Sequence, residues 1–215
     1  MRPIILIICF LFCNYLFAKR HKAENFAVVS ATKQNIVYLG IDNPIQVAVS
    51  GLPRHKMTVS CTNGTITGVG GLYVLRPDSV GLTKVIVYSL KNGDTVSYGD
   101  FPFRAHRFPN PVAKVGGYTG GEISLPVMKA QQGVIADLDG FDFDIRFDVI
   151  QFKALVTKKD KTLISDLVYG PYFSPQIKTW MKELETGNDF IVYKIKVKGP
   201  DGLIRELNPI YFTMK

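Results

Sequence analysis

Between Phe26 and Arg107, apolar and polar residues alternate in short runs closed by turn formers: Phe26–Ser30, Asn35–Tyr38, Ile45–Ser50, Met57–Cys61, Leu72–Leu75, Thr83–Tyr88 and Thr95–Phe103. A period of two puts every second side chain on one face of a strand, and runs spaced roughly 8 to 12 residues apart are typical of sandwich strands. Asn63-Gly64 and Asn92-Gly93 are predicted hairpin turns, because both residue types tolerate positive φ. About seven strands in about eighty residues predict an immunoglobulin-like β-sandwich over residues 26–107.

Arg107-Phe-Pro-Asn-Pro111 then forces extended backbone and forbids a helix, which places the domain boundary between 107 and 108. Beyond it Phe141, Phe143, Ile145, Phe147 and Val149 alternate with Asp142, Asp144, Arg146 and Asp148. The phase slips at Val149-Ile150 and continues through Phe152, Ala154 and Val156, predicting one long strand over 141–156 with a bulge. Ile191, Tyr193, Ile195 and Val197 predict a second strand with Lys194, Lys196 and Lys198 on its wet side. Pro200-Asp-Gly202 turns into a strand over 203–207, and 209–214 is a last apolar strand.

Ser174 as N-cap, Pro175 at the first helical position and Ile177, Trp180, Met181 and Leu184 at helical spacing predict a helix closed by Gly187. Ser124 and Pro126 open a shorter one that ends at Gly133. The fold expected is mainly β with some α: an immunoglobulin-like sandwich followed by an α+β domain, residues 108–215, of antiparallel strands and one or two short helices.

The N-terminus has another character. Arg2, the apolar run Ile4–Phe17 and Ala18 predict a signal peptide over residues 1–18, followed by a basic stretch over 19–25. The run of about fourteen residues is shorter than the roughly twenty that span a bilayer. Leu16, and the positive Lys19, Arg20 and Lys22 after the run, leave an uncleaved anchor as the alternative. Cleavage removes Cys9 and Cys13, so Cys61 has no intramolecular disulfide partner and reads as an inert thiol in a strand.

Composition adds a basic balance, 26 Lys and Arg against 18 Asp and Glu. Residues 19–107 hold 11 basic and 5 acidic residues, and 108–215 hold 14 and 13, so the excess belongs to the first half. No stripe of Lys and Arg interleaves with aromatics, which argues against nucleic acid as a partner. Gly116-Gly117-Tyr118-Thr119-Gly120-Gly121 lacks the Lys-Ser/Thr pair of a phosphate loop and reads as a connection between strands. Asp137, Asp139, Asp142 and Asp144 miss the calcium-loop template, since Phe141 falls where an oxygen ligand belongs. His21, His55 and His106 have no acid, Ser or Cys at a triad or zinc spacing. Asp142, Asp144, Arg146 and Asp148 on one strand face form the candidate interaction surface, and no catalytic, metal or cofactor site is expected.

Phe108-Pro-Asn-Pro-Val-Ala-Lys-Val-Gly-Gly117, Gly120-Gly-Glu-Ile-Ser124, Gly133-Val-Ile-Ala136, the Phe-Asp-Phe-Asp run at 141–144 and Gly199-Pro-Asp-Gly202 resemble the C-terminal region of the GldM/PorM family. Those are periplasmic subunits of the gliding-motility and type IX secretion machinery of Bacteroidetes. Val28-Val-Ser-Ala31, Ile36-Val-Tyr-Leu-Gly40 and Asn43-Pro-Ile45 resemble the start of the preceding domain. The resemblance implies a structural role for Pro111, Val112, Ala113, Lys114, Val115, Gly116 and Gly117, protein partners in the cell envelope, and a homodimer. The 197 residues after the signal fit two domains, so the expected protein is a stand-alone exported docking module, periplasmic or associated with the outer membrane, and not an enzyme. The alternatives are a secreted hydrolase or carbohydrate-binding protein that uses the aspartate-rich stretch 137–148, and a structural cell-surface protein.

Overall fold

The computed structural model describes residues 34–143, 145–159 and 161–215; the signal peptide, the basic stretch, the run Phe26–Ser30, His21 and Asp144 lie outside them. The first half contains β1 (Ile36–Tyr38), β2 (Asn43–Gln46), β3 (Met57–Cys61), β4 (Thr65–Val69), β5 (Leu72–Arg76), β6 (Gly81–Lys91) and β7 (Asp94–His106). They form two sheets, ordered β1-β7-β6-β3 and β2-β5-β4. Val37, Leu39, Tyr73, Leu75, Val85, Val87 and Ala105 meet between them in one core. All pairings are antiparallel except β1 with β7, which is parallel.

Asn92 (φ 54°) and Gly93 (φ 91°) turn β6 into β7, as two residues with positive φ do in the favoured two-residue hairpin. Asn63-Gly64 is different. β3 pairs β6 and β4 pairs β5, so this turn carries the chain from one sheet to the other and is not the predicted hairpin. Asn63 is held instead by Ser79, donating to its carbonyl at 2.8 Å and accepting its N–H at 3.2 Å.

The second half contains β8 (Val112–Lys114), β9 (Gly121–Ile123), α1 (Leu125–Lys129), β10 (Ile135–Asp137), β11 (Asp148–Lys158), β12 (Lys161–Ile164), β13 (Val168–Tyr169), α2 (Pro175–Lys182), β14 (Asp189–Lys198), β15 (Ile204–Leu207) and β16 (Ile210–Met214). β12-β11-β14-β16-β9 run in that order, with β13 added on β11 and β15 on β14, and β8 and β10 form a separate pair. Phe152, Phe190 and Phe212 are fully buried in the core, with Met128 from α1 and Ile177 and Met181 from α2. Phe173 meets Phe152 and Phe190 edge-on, with centroids 5.8 and 5.6 Å apart. Burial of each such ring stabilises the fold by about 1.5 to 3 kcal/mol.

Ser174 caps α2 as predicted, its Oγ accepting the Ile177 N–H at 3.3 Å. The helix ends at Lys182, and Gly187 lies in the following turn, where it donates to the Met214 carbonyl at 2.9 Å. The bulge predicted at 149–150 is present as a register shift between Val149 and Gln151. The long strand over 141–156 is not, because β11 begins only at Asp148. Phe141 and Ile145 are half-buried and Phe147 buried, while Asp142 and Arg146 are exposed, so among the described residues the alternation marks covered and exposed positions of a segment that bends at 142 and 143 and belongs to no strand. β14 also departs from its single predicted phase. Phe190, Val192, Ile195 and Val197 face the core, and the slip falls at Lys194 (φ 51°).

Candidate interaction groove

Residues 35–215 form one compact unit with two cores, and aromatic rings join them. Tyr38, at the end of β1, stacks on Phe108 at 5.1 Å and meets Phe141 and Phe143 edge-on at 5.0 and 5.6 Å. Two residues on, Gly40 (φ 79°) lies against the Pro200 carbonyl so closely that a Cβ would run into it. Asn43 fixes the loop between them: its amide nitrogen donates to the carbonyls of Tyr38, Ile41 and Leu75 at 2.8, 3.1 and 3.0 Å, and its oxygen accepts the Tyr38 N–H at 2.7 Å.

On the other side of this contact the 199–202 turn carries Asp201, whose side chain is fully buried. Arg205 grips it, packs its guanidinium 5.5 Å from the Phe147 ring centre and reaches the Phe108 carbonyl at 3.4 Å. Burial pushes the Asp201 carboxyl up, but hydrogen bonds from Arg205 and the Leu203 N–H, with the charges of Arg205 and Arg107, outweigh it and hold the group below its ordinary value.

The stretch 111–117 builds the β8 side of a groove. Lys114 is nearly buried and its Nζ reaches Asp139 and, at 3.4 Å, Asp137, tying β8 to the end of β10. The Asp139 hydrogen bond is the main reason that the Lys114 ammonium is held above its ordinary pKa. Two of the four crowded aspartates are thus committed to a lysine, and the described residues hold no cluster of three or more His, Cys, Asp or Glu fit for a metal ion. Val115 then exchanges backbone hydrogen bonds with Tyr118, at 2.9 and 3.0 Å, so the glycine loop closes tightly.

Gly116, Gly117, the 130–136 segment, Arg146 to Val149, Pro171 and Tyr172 enclose a groove of about 670 Å³. Gly133 bridges to Tyr172, and its lack of a side chain lets the Pro171 carbonyl approach and accept the Val134 N–H at 2.8 Å. Val134, Ala136, Phe147 and Val149 give the groove apolar walls, and Ile135 and Tyr172 stand at it 52% and 71% exposed. β10 pairs only with β8, and β12 and β13 pair with β11 only from Gln151 onward, so among the described residues the outer edges of β10 and of the start of β11 have no strand partner, apart from the Ile150 carbonyl, which accepts the Gly170 N–H at 2.7 Å.

Of the predicted surface residues, Arg146 and Asp148 line this groove and pair at 3.2 Å in water. Asp142 is exposed and does not line it, and Asp144 is outside the described residues. Ile135 and Tyr172 lie outside the predicted surface set; an apolar residue and an aromatic in glycine- and proline-flanked segments were the available signal. Cys61 is a half-buried free thiol, its pKa raised chiefly by burial.

Two family models match the chain: the GldM third domain over residues 26–106 and the GldM C-terminal domain over 109–215. The chain belongs to the GldM family. GldM is a gliding-motility and type IX secretion subunit, a structural component of a multi-subunit complex, and the matched domains belong to its periplasmic part. The contacts of Tyr38 with Phe141 and Phe143 and of Gly40 with Pro200 therefore join one GldM domain to the next, and the groove lies in the C-terminal one. A search of the curated proteins finds no match. Similar solved structures are the fibronectin(III)-like modules of Clostridium thermocellum CbhA, at 12% identity over 84% of this chain and 88% of that one, TM-score 0.27. Another is the N-terminal four Ig domains of Dscam1 isoform 4.44, at 11% identity over 85% and 50%, TM-score 0.26. No helix among the described residues is long and apolar enough to cross a membrane.

Proposed function

We propose that this GldM-family chain is an exported, non-catalytic docking module with an N-terminal signal over 1–18, a sandwich domain over 26–107 and a C-terminal domain over 108–215. The groove of the C-terminal domain receives an extended segment of another envelope protein of the gliding or secretion apparatus. One observation carries the reading: exposed Ile135 and Tyr172 flank an apolar groove that has unpaired strand edges and the opposite charges of Arg146 and Asp148 at its rim. Such an edge supplies backbone donors and acceptors to an incoming strand, and aromatic and Arg side chains are the usual anchors of protein interfaces.

The test is crosslinking and affinity capture from the native envelope with the full chain and with Ile135→Arg/Tyr172→Ala. Motility or secretion components recovered with the wild type and lost with the variant, at unchanged melting temperature, support the proposal. Equal recovery with both, or none with either, overturns it. Light scattering on the same samples measures whether a second copy is among the partners.

A further inference from the structure

We propose that a recess on the outer face of the seven-stranded sheet, built by Lys153, Lys194 and Lys196, binds a carboxylate-rich segment of a partner protein. This goes beyond the groove and uses different residues, so the two readings fail independently. The recess encloses about 350 Å³ and is walled by Gln151, Leu167 and Glu206. Cross-strand register places Lys196 opposite both Gln151 and Glu206, and Lys153 opposite Tyr193.

Lys194 is the first clue. It stands at φ 51°, where a side chain is uncommon and glycine or asparagine is the usual occupant. Between Lys153 and Gln151 the register of β14 takes in one residue more than that of β11, so this is a bulge. Its effect is to leave Tyr193, Lys194 and Lys196 outward while Val192, Ile195 and Val197 stay buried. Backbone held in a sparsely populated region concentrates at binding sites, and here it falls at a lysine that lines the recess together with Lys153 and Lys196.

Charge is the second, independent clue. Lys153, Lys194 and Lys196 have no carboxylate within salt-bridge distance among the described residues, and all three line one recess. Glu206 is the sole carboxylate lining the recess and makes no salt bridge there, so the site holds an excess of two positive charges. Like charges held together without counter-charges favour an anionic occupant.

The recess also selects the kind of anion. A recess of about 350 Å³ has room for the carboxylate side chains of a polypeptide. Glu206 opposes a continuous run of phosphates but accepts a hydrogen bond from a backbone N–H. A polypeptide carrying spaced carboxylates satisfies both.

The experiment is fluorescence anisotropy of the full chain with a labelled peptide alternating Glu and Gly, against its Gln counterpart. The acidic peptide should bind, weaken with added salt, and bind about tenfold more weakly to Lys153→Gln/Lys196→Gln. Lys194→Gly should also weaken it while raising the melting temperature, because glycine adopts this φ without strain, and it keeps the test alive if the double variant does not fold. Equal affinity for the Gln peptide, or undiminished binding to both variants, overturns the proposal. So does binding to phosphatidylglycerol vesicles that the acidic peptide does not displace.

Discussion

The guanidinium of Arg205 closes on the Asp201 carboxylate at two points, Nη1 to Oδ1 at 2.9 Å and Nη2 to Oδ2 at 2.6 Å. The fork geometry matches the two oxygens, and burial removes the water that would otherwise screen the pair. Asp201→Asn leaves a buried guanidinium without its counter-charge and should cost about 3 kcal/mol in urea unfolding at neutral pH.

The same substitution predicts a pH dependence. The folded-state pKa of Asp201 lies below its ordinary value of 3.8, so its contribution is complete above that value and is lost as pH falls through the lowered one. The stability gap between wild type and Asp201→Asn should be constant near neutrality and narrow below pH 3.8. Parallel unfolding curves from neutral to strongly acidic pH measure it.

Tyr38 couples the two cores through three ring contacts. Trp180, the one tryptophan, packs against the C-terminal core and reports that core alone. Far-UV circular dichroism and Trp180 fluorescence should give one coincident transition for the wild type and two separated ones for Tyr38→Ala. The substitution should cost about 2 kcal/mol, since such ring pairs contribute beyond their buried area.

Gly40→Ala tests the same junction from the backbone. At φ 79° the added methyl is strained by conformation and collides with the Pro200 carbonyl. We expect a loss of about 2 kcal/mol in thermal or urea unfolding.

Asn43→Ala removes four hydrogen bonds and leaves the Leu75 carbonyl without its Asn43 donor inside the sandwich. The expected loss is about 2 kcal/mol. Hydrogen exchange should show faster amide opening at Tyr38 than at Val85 in β6.

Local pattern carried much of this fold and little of the site. Asn92-Gly93 was legible because a turn is decided by the residues in it, and Ser174-Pro175 because a cap is. β14 was misread because Ile191, Tyr193, Ile195 and Val197 are apolar in unbroken alternation, while the slip at Lys194 is a backbone event that composition does not encode. The segment 141–147 alternates because Phe141 and Phe143 meet Tyr38, a hundred residues earlier, and no window in the sequence contains both. Strand β4 escaped because Gly68 and two threonines break its hydrophobic signal. Gly116, Gly117 and Gly133 stood out as part of a family signature, but only the folded chain shows that they shape one groove.

The ring contacts of Tyr38 and Phe108 with Phe141 also change what the segment around Pro109 and Asn110 does. Those two residues are exposed, while the halves are bound across them by Tyr38 with Phe141 and Phe143, and by Phe108, just before them, with Phe141, Phe147 and Arg205. The peptide bond between them is therefore the weakest claim on the joint: a chain cut there would still travel as one particle through a sizing column, and a load applied to one domain would pass to the next through side chains instead of through the connecting backbone.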